Sequence, residues 1–167
     1  MLGKPADAVP IIVIDTREQE PLKFRHLRSI RGTLPSGDYG IRGLENLFAV
    51  ERKTVADLVG SVVGGNRERF ERELFRLKPY QFKRLLIVGL RGEIELQRYR
   101  SRIPPKAVLG TLAAWECRYN IPVVYAATPI QAALEVERWV WYFCREYVET
   151  ANALLRGCQA EPTSDGE

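Results

Sequence analysis

The spacing of apolar residues changes several times along the chain, and each change marks an element. "IIVID", Ile11 to Asp15, is an unbroken aliphatic run with β-branched residues, the pattern of a central strand. A polar segment follows, and "PSGDYGIRGLENLFAVERK" then reads as two strands joined by a turn near Gly43 to Asn46. Thr54 and Asp57 have the spacing of a capping box, and Val55, Leu58, Val59 and Val62 fall at i, i+3, i+4 and i+7. A helix is expected there, with Gly64 and Gly65 ending it. A second helix, Arg67 to Leu77, places Phe70, Leu74 and Leu77 on one stripe amid charge. "RLLIVG" and "IPVVYAA" read as further strands. Between them Pro104 to Tyr119 reads as a helix with proline in its first turn, and about Pro129 to Leu155 as a long aromatic-rich one. Strands first, then strands alternating with helices, predict an α/β fold with a mixed central sheet flanked by helices. Without repeat or linker, residues 10–158 are expected to form a single domain, and the polar ends, 1–9 and 159–167, to be flexible.

Composition narrows the function classes. With 46% hydrophobic and 28% charged residues, 167 residues can bury a full core, and 25 Lys+Arg against 21 Asp+Glu leave a mildly basic surface that permits nucleic-acid binding. Three widely spaced cysteines, Cys117, Cys144 and Cys158, and a single histidine, His26, exclude a zinc cluster or a disulfide framework. They and Trp115 are expected to serve packing or surface. No apolar run approaches the roughly 20 residues of a membrane helix, and the N-terminus lacks the apolar core of a secretion signal. An intracellular protein with reduced thiols is expected, in the cytoplasm, nucleoid-associated, or in a nucleus.

The chemistry concentrates where "FAVERK" ends an apolar run in three charges. In a strand Glu51 and Lys53 share a face and Arg52 takes the other. A turn centred between Leu44 and Glu45 pairs residues whose numbers sum to 89, which sets Asp38 opposite Glu51 with β-carbons roughly 5 Å apart. Two carboxylates so close repel unless a proton or cation lies between them. Lys53 alone does not neutralise both, so a divalent metal is the natural third party, and hard oxygen donors suit Mg²⁺ or Mn²⁺. A metal-held water, with Lys53 stabilising charge, is the arrangement for phosphodiester hydrolysis. The spacing by itself more often describes a cross-strand salt bridge on a solvated face.

The company of the triplet goes further. "VIDTRE" ending at Glu18, "GDY" at Gly37 to Tyr39, "VERKTVADLVGSV" from Val50 and "RERFERE" from Arg67 occur in this order. Together they resemble the nuclease domain of the XPF/Hef family of structure-specific DNA endonucleases, over residues 11–77. The resemblance implies a restriction-endonuclease-like core, a Mg²⁺ or Mn²⁺ requirement, and cleavage of branched or flapped DNA in repair or recombination. It implies Asp38 and Glu51 as main metal ligands, Asp15 and Glu18 as further acidic members of the site with Asp15 also toward metal, and Lys53 as the catalytic lysine. Arg17 and Arg52 are implied to orient carboxylates or touch phosphate. The pattern departs after Gly65, where Asn66 intervenes before Arg67 and Glu71 takes the family's Gln place. Larger members also carry helix-hairpin-helix repeats or a helicase, for which this sequence has too few residues beyond the core.

DNA contacts are expected from Arg67 and from "QRYRSR", where Arg98, Arg100 and Arg102 flank Tyr99 without acidic neighbours. The Arg67 cluster has Glu68, Glu71 and Glu73 at helical spacing, so a solvated face describes it as well. The final helix carries Val136, Trp139, Val140, Phe143 and Tyr147 on one side and Trp141 and Tyr142 elsewhere, broader than one core stripe. Family members dimerise through this domain, so a homodimer, or a heterodimer with a related or DNA-binding subunit, is expected. A catalytically silent nuclease-fold subunit is the competing class. The retained Asp15, Asp38, Glu51 and Lys53 argue against it, since a scaffold has no need of mutually repelling carboxylates.

Overall fold

The computed structural model describes residues 7–158, so the expected flexible ends fall mostly outside the described residues. Six strands form one mixed sheet in the order β2-β1-β3-β4-β5-β6: β1 Ile12–Asp15, β2 Ser29–Gly32, β3 Tyr39–Ile41, β4 Phe48–Thr54, β5 Phe82–Val88 and β6 Val123–Ala126. β3 runs antiparallel to both β1 and β4, and the pairs β1–β2, β4–β5 and β5–β6 are parallel. The carboxyl ends of β1 and β4 therefore lie at the same end of the sheet, on either side of β3, which is where Asp15 and the Glu51–Lys53 triplet lie.

Alternation along β4 divides its side chains between two cores. Ala49 faces a layer built by α1 Val55–Gly60, α2 Gly64–Leu77 and α4 Pro105–Tyr119, where Phe70, Leu74, Leu77 and Trp115 are fully packed. Phe48 and Val50 face α5 Pro129–Cys158, through Ala132, Val136 and Val140. Helix α1 begins as its spacing predicts, with the Thr54 hydroxyl accepting from the Asp57 N–H at 3.1 Å.

Four local expectations are corrected. β2 lies in the stretch read as polar loop. Gly64 opens α2 with φ +63° instead of closing α1, which Ser61 ends. The short α3, Arg91–Glu95, had no periodic signal. Trp139 and Phe143 belong to the chain's own core: Phe48 stacks on Phe82 at 4.5 Å, and Phe143 and Trp139 close over that pair at 5.4 to 5.9 Å. The breadth of the apolar face is thus largely intramolecular. Alanine at both Trp139 and Phe143 is expected to cost of order 2 kcal/mol each, visible in a thermal melt, with the light-scattering mass of the folded protein unchanged. A change of mass without loss of stability would return these residues to an interface.

Candidate active site

Asp38 is positioned by main chain on both sides. Tyr39 pairs with Val50, the register in which residue numbers sum to 89, and the Asp38 N–H donates to the Val50 carbonyl at 2.8 Å. The Asp38 carbonyl accepts from the Asp15 N–H at 2.9 Å, tying β1 to the same point. Gly37, before it, has φ +81°, and a β-carbon there would lie 3.1 Å from that of Ala49. Only glycine lets the chain pass this close to β4 and turn into Asp38. The Asp38 carboxylate then accepts the Arg52 N–H at 2.8 Å through Oδ2.

Asp38 and Glu51 line a cavity of about 140 Å³ together with Asp15, Arg17, Glu73 and Arg76. Burial raises the Asp38 pKa to about 6 against a restoring hydrogen bond from Arg52, and the Glu18 charge adds to the rise. Burial also pushes the Glu51 carboxyl well above the usual range, reinforced by the charge of Asp38. Lys53 pairs with Glu51 only loosely, with Nζ 3.9 Å from Oε1, too far for a hydrogen bond, and 4.5 Å above the Phe70 ring. This pair is therefore a concentration of negative charge that the protein leaves undercompensated.

The other expected site acids are compensated. Asp15, 1% exposed, accepts the Arg17 N–H and Nε at 3.0 and 2.6 Å, the Arg17 Nη2 at 3.2 Å and the Leu34 N–H at 2.8 Å. Burial raises its pKa, but these bonds together outweigh burial and hold it below the usual value. A cation taking Asp15 as ligand has to displace Arg17. Glu18 lies toward the α5 face, where Arg52 binds it through two nitrogens, each at 3.0 Å. Burial again raises its pKa and the Arg52 hydrogen bonds contribute to lowering it. Tyr39 donates to it at 3.4 Å. Arg52 thus orients a carboxylate, one of the two roles expected for it, and its largely covered guanidinium is committed to Glu18.

Arg17 keeps an exposed side chain at the cavity rim while holding Asp15. Arg67 binds Glu71 at 3.0 Å and turns to the Val62 carbonyl, so its cation is largely spent within the protein. Glu71 points away from the acids to accept from Trp115 Nε1 at 2.8 Å, which removes it as a ligand in this geometry. Arg98, Arg100 and Arg102 are exposed on the segment between α3 and α4. Sequence reasoning did not place Glu73, which faces Glu51 from α2, or Asn66 in the site; both line a neighbouring cavity of about 230 Å³ with Lys53 and with Arg69, a member of the arginine cluster that follows the motif. Their signal was spacing alone: Asn66, Arg69 and Glu73 run beside the Phe70–Leu74–Leu77 stripe, one turn apart.

Among the described residues no three acidic, His or Cys side chains form a ready-made metal cage. Two facing carboxylates nonetheless fit Mg²⁺ or Mn²⁺, which keep several waters and take few protein ligands. Among the described residues no helix is long and apolar enough to cross a membrane.

The mixed sheet with flanking helices is the architecture of a nuclease domain, and the ERCC4 domain profile matches residues 14–137. The chain belongs to the ERCC4-domain family and has the fold of an XPF-type nuclease domain. The structure of XPF from Aeropyrum pernix superposes with a TM-score of 0.66 at 25% identity, over 93% of this chain and 76% of that one. A second, XPF from Aeropyrum pernix in complex with DNA, gives 0.62 at 25% identity, over 78% of this chain and 63% of that one. No curated protein matches the chain.

Proposed function

We propose that this protein is a Mg²⁺- or Mn²⁺-dependent endonuclease that hydrolyses phosphodiester bonds in branched or flapped DNA, in repair or recombination. The observation that carries this reading is the buried, undercompensated pair Asp38 and Glu51 with Lys53 beside it. Asp38 and Glu51 would hold the metal, which when bound polarises the phosphate and lowers the pKa of a water. Lys53, restrained over Phe70, offers its ammonium to the charge that develops on the phosphate oxygens. Arg17 and Arg76 at the rim, and Arg69 beside Lys53, would take neighbouring phosphates. Arg98, Arg100 and Arg102 would extend that contact along the DNA.

Family membership and a DNA-bound structural relative support the substrate class. The assembly we infer is a dimer, using the exposed Tyr142, Tyr147, Leu154 and Leu155 along α5 in place of the core residues Trp139 and Phe143. Such an enzyme would work where cellular DNA is, in a cytoplasmic nucleoid or a nucleus.

Labelled linear, flap, fork and four-way DNA, incubated with Mg²⁺, Mn²⁺ or EDTA, test the proposal. Cutting near the branch of flap or fork is expected with metal and none with EDTA. Lys53→Ala is expected to lose at least about 100-fold in single-turnover rate, the scale of removing one charge-stabilising donor, while calorimetric Mn²⁺ affinity is kept. Cleavage that survives EDTA, or Lys53→Ala cutting at the parental rate, sinks the assignment.

A further inference from the structure

Phe70, Leu74 and Leu77 seat α2 in the core, and that anchoring fixes which residues beside the stripe reach the site. Glu73, next to Leu74, lines the cavity of about 140 Å³ with Asp38 and Glu51, and also the cavity of about 230 Å³ with Lys53 and Arg69. It is the one residue that the two cavities share, so it stands between the acidic pair and the lysine. Its charge acts on both Glu51 and Arg17.

The fold itself makes no use of this carboxylate. Among the described residues Glu73 makes no hydrogen bond and enters no ion pair. Arg69 and Arg76 stand one turn away on either side, the spacing at which helical pairs form. Arg69 instead donates to Asn66 at 3.2 Å, and Arg76 stays at the cavity rim. The neighbouring acids behave differently: Asp15 holds Arg17, Glu18 holds Arg52, and Glu71 holds Arg67 and Trp115. Glu51 gives an independent sign that something is to be bound here. It is 7% exposed, lines the same cavity as Glu73 and accepts no hydrogen bond among the described residues. A carboxylate so covered is costly without a donor or a cation.

Space decides how Glu73 would share a cation with the pair. Among the described residues the carboxylates do not converge closely enough to enclose a bare ion. About 140 Å³ instead leaves room for roughly four waters at about 30 Å³ each. Mg²⁺ and Mn²⁺ suit such a space, because they keep several waters beside one or two carboxylates. We propose that Glu73 is a positioning residue of the cation site: it accepts hydrogen bonds from water that Mg²⁺ or Mn²⁺, held by Asp38 and Glu51, keeps on the α2 side. With a proton turned to Glu73, such a water presents its free lone pair to the cavity into which a phosphate would come. This role rests on the nuclease reading and adds to it the direction of that water.

Calorimetric titration of the metal-free protein with Mn²⁺ tests it, on the parent, Glu73→Gln and Glu68→Gln. The last makes the same change of charge on the same helix, at an exposed position outside both cavities. Glu73→Gln is expected to weaken Mn²⁺ binding about tenfold or more, the scale for groups that hold a metal's ligands from behind. Glu68→Gln should change it less than about twofold, since exposed distant charges are screened. Without metal, Glu73→Gln should melt no lower than the parent, because it breaks no bond. At saturating Mn²⁺ its single-turnover rate on flap DNA should remain about tenfold down, with DNA affinity unchanged. Mn²⁺ affinity of Glu73→Gln within about twofold of the parent, equal losses in the two variants, or a Glu73→Gln chain that fails to fold without metal each overturn the proposal. Mn²⁺ binding that survives Glu73→Gln but not Asp38→Asn removes only this inference. A parent that binds Mn²⁺ with the help of Glu73 yet cuts no DNA loses only the nuclease reading, and one that takes up no Mn²⁺ loses both.

Discussion

Asp38→Asn is expected to abolish cleavage and, in the absence of metal, to raise the melting temperature. The substitution keeps the shape and the acceptor for the Arg52 N–H but removes a charge that burial and neighbouring acids oppose. Asp38 binds its proton more tightly folded, with a pKa of about 6, than at its ordinary 3.8. The stability this gives the parent is complete below about pH 3.8 and lost as pH rises through about 6. The variant has no such dependence, so its advantage is absent in acid and full above neutrality. A shift near two pKa units corresponds to order 2–3 kcal/mol, or roughly 5 °C for a domain of this size. Melts of both proteins from pH 4 to 8, with and without Mn²⁺, check it. The metal should stabilise the parent and leave the variant unmoved. A variant less stable than the parent at pH 8 without metal would show that Asp38 holds the fold together instead of straining it.

Arg52→Ala carries the largest expected loss of stability. It leaves the Glu18 carboxylate buried without its two-nitrogen partner, and breaking a buried pair from one side costs about 3–5 kcal/mol. Replacing both members together, Glu18→Gln with Arg52→Met, removes the stranded charge and should recover most of that loss. Denaturant unfolding of the single and double variants decides between a coupled pair and two independent contributions. A single variant within about 0.5 kcal/mol of the parent would mean that Glu18 protonates or finds water at no cost.

How much of this was legible in the sequence follows from the range of the signals. The register of β3 on β4 was legible because a short connection leaves few alternatives, and alternation then put Arg52 on the opposite face from Glu51. The partner of Arg52 was not legible. Glu18 stands three residues beyond Asp15, where the chain has left β1 and no period says which way a side chain turns. β2 escaped because "SIRG" is an edge strand with one apolar residue, stabilised only through β1. Gly64 has identical chemistry at a helix end or a helix start. The aromatic breadth of α5 was legible, but not that Phe82 and Phe48, far away in sequence, would meet it. Glu73 was invisible for the same reason, since the residues it faces are on other elements.

The main-chain bonds that hold Asp38 bear on how the proposed activity would be lost. Its N–H is given to β4 and its carbonyl to β1, so its position belongs to the hydrogen-bonded ladder at the middle of the sheet. Loops fray by local opening at low cost, whereas such a ladder opens with the whole domain. Heat or denaturant would then extinguish cleavage at the same midpoint as folding.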